Sequence, residues 1–182
     1  MDFTFQTGFA KYPCFRFYNS QSGDYFYTTS EVERDNLIQN SPSYHYEGIA
    51  FYAYKSLEMP GIKAVNRYRN CFNSLHVYCM PPESPGYNWD PEGMEFSAFN
   101  CQMTDTVPVY RFFDTQRGGH LYTTSTIERD WVLVNLPHYQ YEGIVFYVYP
   151  TSTPSCPAKP GPGTRTLRSS SSGWQWPPAA CP

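Results

Sequence analysis

The chain has no long apolar run, and none of its stretches approaches the ~20 residues that a helix needs to cross a bilayer. No membrane insertion is expected. It also lacks an excess of positive charge: 13 Lys and Arg stand against 16 Asp and Glu, for a formal charge of −3. Nucleic-acid binding calls for a basic patch, so no nucleic-acid partner is expected. The first residues, Met1 to Gln6, have neither a basic start nor an apolar stretch, and no signal peptide is visible. Also missing are the nucleophile elbow, the metalloprotease helix, the phosphate loop and the dinucleotide fingerprint. No closely spaced metal-ligand motif occurs either. These absences predict no cofactor, no metal and no enzyme.

What the chain has in abundance is aromatic side chains. Its 182 residues include 17 Tyr and 13 Phe. Tyr is amphipathic and can bury its ring while its hydroxyl keeps a polar partner. The six cysteines (14, 71, 79, 101, 156 and 181) are even in number, which permits disulfides in an oxidising compartment. An extracellular setting is expected because Tyr-rich, Pro-rich chains with few charges suit it, although a cytosolic chain with free thiols fits the missing signal peptide. Cys14 and Cys101 lie at the edges of the first two of three repeat units (15–54, 64–99 and 110–149) and could join them. Cys71 and Cys79 both fall in the middle unit.

The chain is built from repeats, and these dictate the architecture. Tyr27-Thr28-Thr29-Ser30 followed by Glu33-Arg34-Asp35 returns as Tyr122-Thr123-Thr124-Ser125 followed by Glu128-Arg129-Asp130. Tyr46-Glu47-Gly48-Ile49 returns as Tyr141-Glu142-Gly143-Ile144. Residues 15–54 and 110–149 align without a gap, with about half their positions identical. A degenerate copy, 64–99, lies between them. There Pro81-Pro82-Glu83-Ser84-Pro85-Gly86 replaces the helical segment, and proline cannot continue a helix interior. The domain therefore spans 15–149, after a lead-in at 1–14 and before a Pro-, Ser- and Gly-rich tail at 150–182. That tail is expected to be disordered.

Each full unit reads as a hairpin, a helix and a longer strand. Ser30 stands three before Glu33 and Ser125 three before Glu128, the spacing of a capping box. Asn40 and Asn135 are expected to end the helices in a left-handed stop. In the last strand, Ile49, Phe51 and Ala53 alternate with Tyr52 and Tyr54. The same alternation predicts that Met94, Phe96 and Ala98, and Ile144, Phe146 and Val148, face the core. The other face, with Tyr52, Tyr54, Ser97, Phe99, Tyr147 and Tyr149, is expected to face outward or toward a ligand. The fold class is mostly β with short helices (α+β). Its three pseudo-symmetric units are expected to form one closed, trefoil-like or three-bladed array.

The spaced phrases resemble a tandem-repeat family of unknown function found in secreted bacterial and fungal proteins, often beside cell-wall amidases and glycoside hydrolases. The motifs that carry the resemblance are Tyr-Arg-Phe, Gly-Asp-His-Phe-Tyr-Thr-Thr, Glu-Arg-Asp and Tyr-Glu-Gly-Ile-x-Phe-Tyr. This chain departs from them at Tyr25, where the family has His, and at Gly119, where it has Asp. The resemblance implies an accessory module that binds wall or glycan polymers, an analogy drawn from neighbouring domains.

The candidate binding residues are Asp24, Tyr25, Tyr27 and Tyr52 in the first unit, His76 and Tyr78 in the second, and His120, Tyr122 and Tyr147 in the third. Aromatic faces stack on sugars, and His or Asp fixes hydroxyls. Core aromatic packing explains the same pattern. Arg16 with Glu47, Arg67 with Glu92, and Arg111 with Glu142 read as structural ion pairs joining first and last strands, or else as a polar cradle for sugar hydroxyls. The Glu-Arg-Asp triplets are explained by helix starts, where acids suit the dipole. Three functions compete. The first is a lectin-like module binding glycan or cell-wall polymer through repeated Tyr-rich sites. The second is a structural or protein-interaction domain of an extracellular matrix, and the third is a glycan hydrolase.

Overall fold

The computed structural model describes residues 10–151. The expectations for the first nine residues, for most of the tail, and for Cys156 and Cys181 lie outside the described residues. The described residues are mostly β with two short helices. The first unit holds β1 (Tyr12–Asn19), β2 (Tyr25–Thr28), α1 (Glu31–Asn40) and β3 (Tyr44–Ala53). The second holds β4 (Ile62–Asn70), β5 (His76–Cys79) and β6 (Trp89–Phe99), with no helix. The third holds β7 (Val107–Asp114), β8 (His120–Thr123), α2 (Thr126–Asn135) and β9 (Tyr139–Val148). In every unit the first strand is central and antiparallel to the other two, giving the orders β2-β1-β3, β5-β4-β6 and β8-β7-β9.

The hairpin turns share one device. Asn19, Asn70 and Asp114 each accept two backbone amides from the residues two and three further on, the local bonding that suits Asn and Asp to turns. The helices start at Ser30 and Ser125, whose hydroxyls accept from the Glu33 and Glu128 amides at 3.2 and 3.1 Å. The reciprocal half of the capping box is not used. Thr28 and Thr123 hydroxyls take the Ser30 and Ser125 amides instead, at 3.0 Å each, which frees both Glu side chains. The helices end at Asn40 and Asn135 without a left-handed residue: Ser41 and Leu136 follow at φ −130° and −119°.

The alternation expected in the last strand fails at one position per unit. Phe51, Phe96 and Phe146 are buried, but Ile49, Met94 and Ile144 are exposed. A bulge sits between them in each unit, at Ala50, Glu95 and Val145, and a second at Glu47, Glu92 and Glu142. Each extra residue shifts the alternation by one. The glycine after the second bulge has φ of +105°, +102° or +101°. No atom lies within 4 Å of a Cβ built there, so backbone conformation and not space demands glycine. The expected outer face is also displaced: Tyr54, Ser97 and Phe99 are buried. The rings of Tyr54, Phe99 and Tyr149 meet edge-on, with centroids 5.5 to 6.3 Å apart.

The units meet at equivalent points. Tyr52 bridges Tyr149, Tyr54 bridges Ser97, and Phe99 pairs with Tyr147. At the centre stand Tyr27, Tyr78 and Tyr122, each about 1% exposed. Their ring centroids are 5.5 Å apart in all three pairs, at 84°, 82° and 85°. The Tyr78 hydroxyl accepts from the Tyr27 amide and donates to the Tyr27 carbonyl, both at 2.7 Å. Tyr122 serves Tyr78 in the same way at 2.9 and 3.1 Å, and Tyr27 serves Tyr122 at 2.9 and 2.7 Å. Burial pushes all three phenols above their ordinary pKa. Cys14, Cys71 and Cys79 are free thiols, so neither a Cys14–Cys101 bridge nor a staple within the middle unit forms.

The central triangle predicts a specific loss. Tyr78→Phe keeps the ring but leaves the Tyr27 amide and carbonyl buried without partners, a cost of about 3 kcal/mol. Urea unfolding should show that loss, whereas Tyr87→Phe, at a fully exposed position, should leave stability unchanged.

Candidate functional site

Three clefts lie between neighbouring units, and an arginine on each unit's first strand builds each one. The within-unit ion pairs form as spaced in the sequence. Arg16 Nε meets Glu47 at 2.8 Å, Arg67 Nε meets Glu92 at 2.7 Å and Arg111 Nε meets Glu142 at 2.6 Å. The bulges aim these glutamates at the arginines. Each guanidinium then reaches an acid of the next unit. Arg67 takes Glu33 of α1 at 2.9 and 3.1 Å, and Arg16 takes Glu128 of α2 at 2.9 Å. Arg111 faces the unit without a helix, where Glu83 of the proline-rich loop supplies the acid at 2.9 and 2.6 Å. Burial works against the Arg111 charge, but its hydrogen bonds to Glu83, together with the charges of Glu142 and Glu83 and the Tyr122 phenol, outweigh it and hold the guanidinium more firmly protonated.

The remaining triplet residues complete a surface clamp. Arg34 lies 4.5 Å over the Phe15 ring and Arg129 lies 4.6 Å over the Tyr110 ring. Asp35 and Asp130 each hold the adjacent arginine at 2.7 Å. The triplet is therefore interunit and surface packing, and none of its members faces another across a cavity.

The missing helix leaves the third cleft open. A cavity of about 410 Å³ lies between the second and third units, with Asn70, Glu83, Trp89, Arg111, Phe113 and His120 in its wall. His120 is the unusual group there. Its counterpart His76 is buried and bonded through Nδ1 to Asp24 at 2.6 Å, with the His76 amide on the same carboxylate at 2.9 Å. Tyr44 donates to Asp24 as well, at 3.3 Å. In the third cleft the position equivalent to Asp24 is Leu75, which is 2% exposed. Nδ1 of His120 is thus buried with no hydrogen-bond partner among the described residues. Burial, with help from Arg111, pushes the imidazole down to about 4. At neutral pH it is an uncharged ring, and Glu142 lies 3.8 Å from Nε2.

Of the nine candidate binding residues, only His120 lines one of these cavities. Tyr27, Tyr78 and Tyr122 are core residues whose hydroxyls are used internally, so none is free for a ligand. Asp24 and His76 are buried and spent on each other. Tyr25 is half-buried against Tyr18, with ring centroids 4.9 Å apart. Tyr52 and Tyr147 are half-buried at the interunit bridges. Among the described residues no group of three or more His, Cys, Asp or Glu is arranged to hold a metal ion, and no helix is long and apolar enough to cross a membrane. Sequence reasoning missed Trp89, Phe113 and Glu83. The signal for them was the proline-rich replacement of a helix, which both opens space and supplies an acid.

The family described as "Domain of unknown function (DUF5648)" matches residues 2–84 and again 82–158. It thus counts two repeats along a chain with three strand trios, and the junction falls in the proline-rich loop. No curated protein and no solved structure matches.

The His120 environment predicts a pH signature. Unfolded, the imidazole binds a proton below its ordinary 6.5, whereas folded it stays neutral down to about 4. The unfolded state therefore holds the extra proton, and stability falls as pH drops through that window. Between neutral pH and the lower value, the wild type should lose about 3 kcal/mol more than His120→Gln, measured by urea unfolding at each pH.

Proposed function

Since the chain belongs to the family described as Domain of unknown function (DUF5648), whose description assigns no activity, we propose a function from the cleft: a non-enzymatic, lectin-like module that binds a glycan or cell-wall polymer at the open groove beside His120. The observation that carries this reading is a neutral, hydrogen-bond-deficient imidazole in a cavity that also offers the aromatic faces of Trp89 and Phe113. A neutral ring can both donate to and accept from hydroxyls, and a mostly formed pocket with a few convergent polar groups is the usual form of a small-ligand site. The single groove replaces the repeated Tyr-rich sites of the original expectation. A glycosidase is less favoured because the two acids of the cavity wall, Glu83 and Glu142, are both engaged by Arg111.

We further take the three units to close around one pseudo-threefold axis, a reading supported by the cyclic tyrosine bonds and the cyclic strand bridges. We place the module outside the cell, a reading supported by the Tyr-rich, charge-poor composition. A second reading, a protein-interaction domain, draws on α2. Ile127, Trp131 and Val134 are 83%, 55% and 80% exposed and share one face by their spacing.

One experiment separates the two. Soluble oligosaccharides chosen from a glycan array are titrated against wild type, Trp89→Ala, His120→Gln and Trp131→Ala. The lectin reading expects about tenfold weaker binding, ~1.4 kcal/mol, for the first two variants and no change for Trp131→Ala. No saturable binding to any glycan or wall polymer, or binding indifferent to Trp89, would contradict it.

A further inference from the structure

The three interunit clefts follow one plan, and setting two of them side by side exposes a hollow in one that the protein fills in the other. Where the second unit meets the first, Glu95 stands on the bulge of β6. Its Oε1 accepts from the Thr29 amide at 2.6 Å and lies 3.0 and 3.2 Å from the Thr29 and Thr28 hydroxyls. Its Oε2 lies 3.0 Å from Arg67 Nη1. Arg67 therefore meets three carboxylates, those of Glu33, Glu92 and Glu95.

Where the first unit meets the third, the same donors recur. Thr123 and Thr124 take the places of Thr28 and Thr29, and Arg16 takes that of Arg67. The Thr124 hydroxyl reaches the Ala50 carbonyl at 3.3 Å, as the Thr29 hydroxyl reaches the Glu95 carbonyl at 3.0 Å. The two backbones are thus placed alike. The bulge residue, however, is Ala50, and its side chain ends at Cβ. Among the described residues Arg16 meets two carboxylates, those of Glu47 and Glu128. The Thr124 amide points away from β7, because the neighbouring Tyr122 amide is turned to the Tyr27 hydroxyl and strand amides alternate. It has no hydrogen-bond partner among the described residues. A cavity of about 200 Å³ opens at this point, lined by Arg16, Ala50, Thr123 and Thr124, with the Glu47 and Glu128 carboxylates that Arg16 holds also in its wall.

We propose that this hollow is a binding site for a carboxylate group, which takes the place that the Glu95 carboxylate occupies one unit away. The ligand's two oxygens meet the Thr124 amide, the Thr124 hydroxyl and Arg16, while the Thr123 hydroxyl stays with Glu128. Charge-assisted bonds of this kind are the stronger class of hydrogen bond, and the Arg67 cleft shows that a third acid is accepted around such an arginine. The carboxylate is that of a free short-chain acid or of an acidic sugar. The site is separate from the His120 groove and does not depend on neutral-glycan binding there.

The test is a titration followed by backbone amide NMR at constant ionic strength. The probes are propionate, glucuronate, glucose and chloride. The Thr124 amide should shift saturably with propionate or glucuronate and not with glucose or chloride. A response to both acids assigns the site to the carboxylate alone, while a response to glucuronate only assigns it to acidic sugars. In Ala50→Glu the new side chain fills the hollow and the response should vanish. In Glu95→Ala the Thr29 amide should become responsive. A Thr124 amide that never saturates in the wild type, or that follows chloride, overturns the proposal, as does an undiminished response in Ala50→Glu. If that variant does not fold, Thr124→Val decides: about fivefold weaker propionate binding, the factor for one hydrogen bond, supports the site, and unchanged binding overturns it.

Discussion

Everything else in this domain depends on how three short strands solve the problem of their own free edges. β2, β5 and β8 are each paired on one side only, yet their central tyrosines are buried. A buried peptide group without a partner costs as much as a lost hydrogen bond. Each tyrosine removes that cost for its neighbour, because one phenolic hydroxyl both accepts from an amide and donates to a carbonyl. Phenylalanine fills the same space and satisfies neither group. The requirement runs around all three units in turn, so each unit is held at the same distance from the next. That equality carries the equivalent strand bridges and the equivalent clefts further out.

The three clefts differ in their departures from equivalence. The same arginine stands in each cleft, flanked by an acid from its own bulge and an acid from the neighbouring unit. What differs is the filling. Between the first and second units Glu95 completes the set and Asp24 satisfies His76. Between the third and first units Ala50 leaves room for an acid. Between the second and third the helix is gone, Leu75 stands where an aspartate would, and His120 is left with an unused nitrogen.

The amount legible in the sequence followed how local each interaction is. The turn residues, the Ser caps, the helix lengths and the within-unit Arg–Glu pairs recur at fixed spacing, and they could be read without coordinates. The absence of a helix after Cys79 was equally plain from Pro81, Pro82 and Pro85. Burial of the central tyrosines was not legible, because it depends on two other units closing over the same point. The bulges hid behind a regular apolar alternation, although glycine after each bulged glutamate was a usable sign. Glu33 and Glu128 looked like capping partners because the rival for them, an arginine of another unit, is 34 or 112 residues away in the chain. The His120 defect required knowing that Leu75 and Asp24 occupy equivalent places against a neighbour.

The most direct test of the central claim is native-state hydrogen exchange at the amides of Tyr27, Tyr78 and Tyr122. If the hydroxyl cycle holds the three units together, all three amides exchange only through global unfolding, with one common free energy equal to that from denaturant melts. Exchange of any one of them through a separate, low-energy opening, while the other two stay protected, would show that the units are held by something other than this cycle.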